Sequence, residues 1–361
     1  MKKSLIALAV LAASGAAMAQ SSVTLYGVAD AGVTYINGKS NWTGLSSGNQ
    51  LTSRVGFRGV EDLGGGLKAN FKLEGGFNLD NGDGASGYAG AKAGDGFAFK
   101  RNSTVGLEGG FGEVRLGREL TAAYNATARY DVFGSVGLAQ SRLWADGGVV
   151  DAGTANSGAV TTNQRVSNAV TYVSPNLSGF RAAVNYSFGE ISGDNGGSRY
   201  LGAGLTYDNG PLSLGLGLER LSKGAFSSVN GDISVWSLGG SYDLGVAKVL
   251  AGYRQSTSDN YNASGNDNKR KGYMLALTAP VGPGLVKAAY DRYENDFAGA
   301  KAKADQFGVG YVYGLSKRTS VYGTYAYLKN KDGASLYTLG SGGLKDNGSQ
   351  QGLQVGITHT F

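Results

Sequence analysis

Apolar and polar residues alternate along most of this chain, and the period of two indicates an extended backbone. The segment "GLKANFKLEGGF" at 66–77 places Leu67, Phe71 and Leu73 on one side of the chain and charged residues on the other. The last ten residues, "GLQVGITHTF", alternate in the same way and end on Phe361. Strict alternation over such lengths predicts β-strands with one apolar and one polar face.

Runs of this kind predict sixteen strands, so the fold class is all-β. They lie at 23–36, 51–60, 67–78, 98–108, 112–118, 166–173, 180–188, 199–207, 212–221, 233–242, 247–256, 270–279, 285–294, 304–313, 319–329 and 351–361. After the first twenty residues, the chain has no stretch of eighteen apolar residues, so no transmembrane helix is predicted.

The connectors between these strands alternate between tight turns and long polar segments. The long ones are 37–50, 79–97, 119–165, 189–198, 222–232, 257–269, 295–303 and 330–350. Tight turns at one end and long loops at the other are typical of a transmembrane β-barrel with an even number of antiparallel strands. A secreted β-sandwich or a solenoid would also alternate, but a sandwich does not sort its loops by length, and no self-similar period is present.

A sheet in hydrocarbon must close on itself, because an unpaired backbone polar group there is costly. We therefore expect the first strand, 23–36, to pair with the last, 351–361, and Phe361 to lie in the aromatic girdle at the membrane interface. A barrel of sixteen strands leaves an aqueous channel in its interior.

Charged residues that alternate with apolar ones are expected to line that channel. Arg54 and Arg58 alternate with Val55 and Phe57. Arg165 directly precedes a strand whose first residue is apolar and is expected to face lipid. Facing lipid, a lysine or arginine near the midplane would cost about 2–4 kcal/mol. These side chains are therefore predicted to point inward.

The first 19 residues predict the compartment. "MKKSLIALAVLAASGAAMAQ" has a basic start, a short apolar run and small residues before the expected cut after Ala19, as in a secretory signal peptide. The barrel domain would then span 20–361. The chain has no cysteine, so neither disulfides nor thiolate chemistry is available.

Nothing in the sequence predicts catalysis, a metal site, a cofactor or a nucleic-acid partner. The single histidine, His359, lies near the end of the chain on the outward side of its strand, a poor position for a general base. The third long connector, 119–165, leaves two interpretations open. It is either a disordered extracellular loop or a segment that folds into the channel and narrows it.

Several segments resemble the general porins of Gram-negative bacteria, in particular those of beta-proteobacteria. They are "SRVGFRGVEDLGGGLKANFKLEGGF", "RNSTVGLEGGFGEVRLGR", "RVSNAVTYVSPNLSGF", "YGLSKRTSVYGTYAY" and the final "VGITHTF". The resemblance implies a homotrimeric outer-membrane channel that passes small hydrophilic solutes and ions by diffusion. It also implies a third loop folded inward, contact with outer-membrane lipid, and insertion by the outer-membrane assembly machinery with Phe361 as assembly signal.

The same resemblance implies which residues form the narrowest point. The basic wall would consist of Arg54 in "SRVGF", Arg101 in "RNSTVGL" and Arg165 in "RVSNAV", and the facing acids would be Asp131 and Glu74. Arginine does not deprotonate near neutral pH, so such a wall would favour anions. A substrate-specific channel for an anion such as phosphate is the alternative.

Arg101 does not fit the alternation of its own strand. It shares parity with Val105 and Leu107, which are expected to face lipid. An inward Arg101 therefore requires a β-bulge or a strand that begins after it.

Overall fold

The computed structural model describes residues 22–84, 96–144, 164–190, 192–193, 197–223, 231–261, 264–297, 299–331 and 335–361, so the predicted signal peptide lies outside the described residues. They form seventeen strands, one short helix, α1 (Ala122–Thr127), and a 3₁₀ turn (Ala128–Tyr130). The strands are β1 (Ser22–Asn37), β2 (Asn41–Ser47), β3 (Arg54–Gly64), β4 (Leu67–Gly76), β5 (Asn102–Gly109), β6 (Gly112–Leu120), β7 (Arg165–Val173), β8 (Phe180–Ser187), β9 (Tyr200–Asn209), β10 (Leu212–Leu221), β11 (Ile233–Asp243), β12 (Lys248–Ser258), β13 (Asn268–Val281), β14 (Gly284–Phe297), β15 (Ala300–Gly314), β16 (Thr319–Lys331) and β17 (Ser349–Thr360). Among these residues no helix is long and apolar enough to cross a membrane.

The strands close into one antiparallel barrel. β1 pairs with β17 in a register that sets Val28 opposite Thr360 and Asn37 opposite Gln351. From β3 onward, each strand pairs with the next one along the chain. The predicted pairing of the first strand with the last is therefore confirmed, and the ladder satisfies the backbone groups that hydrocarbon would leave unpaired.

β2 and β3 are two parts of one barrel strand, which is why seventeen segments make a barrel of sixteen strands. Both pair with the same edge of β1, β2 opposite 31–37 and β3 opposite 22–28. The predicted long connector at 37–50 is therefore wrong. The polar segment "NWTGLSS" shows little alternation, yet it pairs with β1 directly after a tight turn.

The interruption between β2 and β3 is held by a buried carboxylate. Asp30 accepts hydrogen bonds from the backbone N–H groups of Asn49 (2.7 Å), Gln50 (3.2 Å) and Leu51 (3.2 Å). Each bond satisfies an amide that the sheet would otherwise pair. The barrel strand therefore resumes at Arg54, three residues later than predicted.

The two faces of the sheet follow the predicted alternation. On β17, Leu353, Val355 and Ile357 are exposed on the outer surface, while Gln354 and Thr358, at positions of the other parity, are buried inside. The same alternation places apolar side chains toward lipid and polar ones toward the channel in most other strands. This distribution is the reverse of that in a soluble globular protein.

A second predicted long connector is also a tight turn. β14 and β15 continue past the predicted ends and are joined by residues 298–299, so the expected loop at 295–303 is wrong. At the outer ends of both strands the outward positions carry charged side chains instead of apolar ones. A search for alternating apolar residues therefore does not detect these ends as strand.

Phe361 lies beside the first strand at the end where the turns are tight. Its backbone N–H donates to the carbonyl of Gly27 at 3.1 Å, and the N–H of Gly27 donates to the carbonyl of Phe361 at 3.0 Å. A Cβ at Gly27 would overlap the Phe361 ring. The glycine therefore provides the space in which the terminal ring lies against the outer surface.

Candidate functional site

The third long connector enters the barrel directly after β6. Thr121 caps α1 by accepting a hydrogen bond from the backbone N–H of Tyr124 at 3.1 Å. The helix packs on β9, β10 and β11, with Ala122, Ala123 and Ala126 buried. Their small side chains permit close contact with the wall. The expectation that this connector folds into the channel is confirmed for its described part.

Glycines at inward positions of the wall leave room for aromatic rings of the connector. The Tyr130 ring lies on Gly239 and the Trp144 ring on Gly252, and a Cβ at either glycine would overlap the ring. A glycine within a strand often marks such a close approach. Neither was assigned to the site from sequence, although both occupy inward positions of predicted strands.

An apolar core forms between the connector and the barrel wall. Its buried members include Val132, Phe133, Leu138, Leu143 and Trp144 from the connector and Leu250, Met274, Tyr293 and Leu328 from the wall. Burying a large apolar side chain contributes roughly 1.5–3 kcal/mol. The connector is thus fixed in the channel by packing of the kind found in a protein interior.

A buried ion pair holds the two ends of the described connector. Arg254 Nη2 donates to Glu219 Oε2 at 2.6 Å, and Arg254 Nη1 donates to the carbonyl of Leu143 at 3.0 Å. The other oxygen of Glu219 accepts from Tyr200 Oη at 3.0 Å and from Thr121 Oγ1 at 3.4 Å. One pair therefore connects the start of the connector, its far end and the wall.

Asp131 is buried inside the connector. Its carboxylate accepts hydrogen bonds from the backbone N–H groups of Phe133 (2.9 Å), Ser135 (2.8 Å) and Ser141 (3.1 Å). Burial raises the pKa of Asp131, and these bonds partly offset the rise. The carboxylate is thus bonded by backbone groups of its own connector, where it stabilises a turn, and its predicted role opposite the arginines stays a prediction.

Arg54, Arg101 and Arg165 lie together on one wall. Arg54 and Arg165 are the first residues of β3 and β7, and Arg101 directly precedes β5. Arg165 Nε donates to the carbonyl of Arg101 at 3.0 Å. Because β5 begins at Asn102, the alternation of that strand does not fix the direction of the Arg101 side chain, which can point to the interior.

Glu74 belongs to the same wall. Arg101 Nε donates to Glu74 Oε1 at 2.8 Å, and both side chains are less than a tenth exposed, 7% and 8%. Lys72 Nζ lies 3.5 Å from Glu74 Oε2, and Tyr26 Oη donates to that oxygen at 2.9 Å. Glu74 thus lies beside Arg101, on the same wall as the three arginines, and its role at the narrowest point stays a prediction.

A cavity of about 320 Å³ separates the arginine wall from the connector. Its lining residues are Arg54, Arg101, Arg165, Leu51, Thr52 and Gln164 on the wall side and Leu120, Tyr124, Gly134, Ser135, Val136 and Gln140 from the connector and the strand before it. These lining residues include three arginines and no acid. An ion in this space therefore meets guanidinium groups on one side and neutral groups on the other.

The described residues contain no group of three or more histidine, cysteine, aspartate or glutamate side chains placed to hold a metal ion. The side chains around this cavity supply fixed charge and hydrogen-bond donors. Such groups attract or repel ions by their field.

Comparisons with known proteins agree with this geometry. Residues 5–333 match the family model described as "Gram-negative porin". The chain belongs to the Gram-negative porin family. Outer membrane porin protein 32 of Delftia acidovorans is 46% identical over 376 residues, covering all of both chains. An outer membrane porin of Bordetella pertussis is 33% identical, covering 91% of this chain and 95% of its own.

A solved porin shows the same architecture. The structure titled "Anion-selective porin from Comamonas acidovorans" superimposes on this porin with a TM-score of 0.81 and 40% sequence identity, covering 95% of this chain and all of the other. The protein is thus a porin of the Gram-negative outer membrane, and its sixteen-stranded barrel forms a passive channel.

Proposed function

We propose that this porin passes small hydrophilic solutes and ions by diffusion and prefers anions. The observation that carries the proposal is the space of about 320 Å³ lined by Arg54, Arg101 and Arg165 and by no acid. The related porin of known structure that is titled anion-selective supports the same preference.

The physical basis is fixed charge in a narrow space. Arginine keeps its charge at every pH that a cell meets. A partly buried charge is screened by salt less than one on an open surface. Glu74 offsets one of the three positive charges through its ion pair with Arg101, so the wall keeps a positive excess.

We also propose how the chain is processed, inserted and assembled. The chain is exported with cleavage after Ala19, inserted by the outer-membrane assembly machinery and assembled as a homotrimer surrounded by outer-membrane lipid. It carries out no chemical step and needs no cofactor, because diffusion through a charged opening requires only shape and field.

Planar-bilayer recording tests the function. Insertion of the purified porin is expected to give an ohmic conductance in groups of three equal steps, with a reversal potential in a KCl gradient shifted toward the chloride potential. A current that saturates in phosphate but not in chloride would favour the substrate-specific alternative. Cation selectivity would contradict the role of the arginine wall.

Deletion of Phe361 tests the proposed assembly signal. The deletion removes the ring beside Gly27 and the two backbone bonds between these residues, yet it leaves the arginine wall at the other side of the sheet intact. We expect a large loss of inserted trimer in outer-membrane fractions and an unchanged single-channel conductance in what remains. Phe361→Tyr keeps the ring and is the matched control. A normal trimer yield after deletion would refute the assignment.

A further inference from the structure

Two buried carboxyl groups contact the same residue of the connector, Ser141. The backbone N–H of Ser141 donates to Asp131 Oδ2 at 3.1 Å, and Ser141 Oγ donates to Asp291 Oδ1 at 2.6 Å. Asp131 belongs to the connector, whereas Asp291 lies on β14 and points inward with Ala289 and Tyr293. The two acids are only 7% and 1% exposed. Two negative charges that share a buried site repel each other, so one of the two groups is favoured in its neutral form.

Asp131 has the hydrogen-bond donors that a negative charge requires. Its carboxylate accepts bonds from the N–H groups of Phe133, Ser135 and Ser141 and from the hydroxyl of Ser135. A carboxylate that accepts several such bonds is stabilised in its charged form. The Lys287 ammonium on β14 also interacts favourably with its charge. Asp131 is therefore the acid that stays ionised.

Asp291 has no comparable set of donors. Its Oδ2 atom is shielded from solvent, and no group of the described residues donates a hydrogen bond to it. The titratable groups that face Asp291 are Asp131 from the connector and Tyr293 from its own strand, and neither is a cation. Its partners across the sheet, Met274 on β13 and Gln306 on β15, are uncharged. A negative charge on Asp291 would therefore be buried without compensation in the described part of the chain.

Gln306 carries a second buried acceptor beside Asp291. Gln306 Nε2 donates to the carbonyl of Gln140 at 2.8 Å, which fixes the orientation of the amide group. Among the described groups, none donates to Gln306 Oε1, which is also shielded from solvent. Asp291 and Gln306 lie directly opposite each other on adjacent strands, so their Cβ atoms are roughly 5 Å apart. One proton on Asp291 Oδ2 would satisfy both oxygens.

We propose that Asp291 is a neutral carboxylic acid that donates a hydrogen bond from Oδ2 to Gln306 Oε1 and thereby positions the connector. Asp291 binds Ser141 and Gln306 binds Gln140, so the acid–amide pair holds two successive residues of the connector. Gln140 lines the cavity opposite the arginine wall. Ionisation of Asp291 places a second negative charge beside Asp131 and loosens this segment. The inference rests on the proposed function only in treating that cavity as the narrowing of the channel.

Infrared spectroscopy of the purified porin tests the protonation state. The C=O stretch of a protonated carboxylic acid lies at higher frequency than the amide and carboxylate bands. At neutral pH, the difference spectrum between the wild type and D291N is expected to contain one such band. In D291N the new amide donates to Gln306 Oε1 and its oxygen still accepts from Ser141. Absence of the band would overturn the proposal, because Asp291 would then be ionised. This measurement does not depend on conduction, so its outcome is separate from that of the proposed function.

The dependence of conductance on pH tests the positioning role. As the pH is raised from neutral to about 9, the wild-type single-channel conductance is expected to rise and become noisier, because ionised Asp291 repels Asp131 and releases 140–141. D291N cannot ionise and is expected to keep its neutral-pH conductance. Ordinary carboxyl groups are already ionised in this range, and lysine and tyrosine titrate near pH 10 or above. His359 is present in both proteins. The same pH profile in both would overturn the positioning role.

D131N is the matched control, because it makes the same substitution in the other acid that contacts Ser141. Asparagine has one acceptor oxygen, whereas Asp131 accepts bonds from backbone N–H groups on both of its oxygens. At neutral pH D131N is therefore expected to unfold at a lower temperature than the wild type, and D291N at the wild-type temperature. Destabilisation of D291N as large as that of D131N would show that Asp291 is also an anion, and would overturn the proposal.

Discussion

Replacing Glu74 with glutamine is expected to raise the preference of the channel for anions, whereas replacing Arg101 with glutamine is expected to lower it. The two side chains form one ion pair on the same wall, 2.8 Å apart. Glu74→Gln removes the acid that offsets the arginines. Arg101→Gln removes a positive charge and leaves the Glu74 carboxylate with less compensation.

The size of the effect follows from the distance of an ion from the wall. A unit charge about 4 Å away in water changes the energy of the ion by about 1 kcal/mol, and a lower effective dielectric constant increases that value. Because the chloride and potassium energies shift by this amount with opposite signs, the ratio of their permeabilities is expected to change roughly 25-fold in each variant, in opposite directions. Reversal potentials in a KCl gradient measure this ratio.

The double variant R101Q/E74Q is the matched control. It keeps the net charge of the wild-type wall, so its selectivity is expected to lie near that of the wild type. Each single variant leaves one buried charge without its main partner, which typically costs about 3–5 kcal/mol, and the double variant should recover much of that loss. Thermal unfolding followed by circular dichroism measures the recovery. Equal selectivity in all variants would place the filter elsewhere in the channel.

Replacing Arg254 with methionine is expected to loosen the inward connector. Arg254 is buried and bonds both Glu219 and the carbonyl of Leu143, so its loss leaves the Glu219 carboxylate uncompensated and frees the far end of the connector. Breaking a buried pair in this way typically costs about 3–5 kcal/mol. We expect a lower unfolding temperature and a larger, noisier single-channel conductance.

Arg220→Met provides the control, because Arg220 directly follows Glu219, the partner of Arg254, on β10. Arg220 pairs with Asp232 at 2.8 Å, but its side chain is 68% exposed and points away from the channel. Exposed pairs of this kind contribute about 0–1 kcal/mol. Its loss is expected to leave conductance and unfolding unchanged. An unchanged conductance in Arg254→Met would show that apolar packing alone fixes the connector.

The order and orientation of the strands were predictable because each strand carries its own signal. On β17 the outward positions of Leu353, Val355 and Ile357 follow from alternation alone. The two errors arose where that signal is weak. β2 is polar, and the outer ends of β14 and β15 alternate with charges rather than apolar residues.

The candidate site was predictable only in part. Arg54 and Arg165 follow the inward parity of their strands, and the position of Arg101 came from its motif. The hydrogen-bond partners of Glu74 and Asp131 could not be predicted, for one shared reason. Both depend on which residues lie nearby in space, and a sequence motif gives only the residue type and its place along the chain.

The sequence by itself determined an all-β chain with sixteen barrel strands in which the first strand pairs with the last. Lipid outside the barrel and water inside it require apolar and polar residues to alternate, and this alternation is visible in the residues of each strand. Only the tertiary structure decided which charges pair. The connector reaches the wall through contacts between residues distant in sequence, such as Trp144 on Gly252 and Arg254 with the carbonyl of Leu143. Those contacts depend on register and on space left by glycine, and no single segment encodes them.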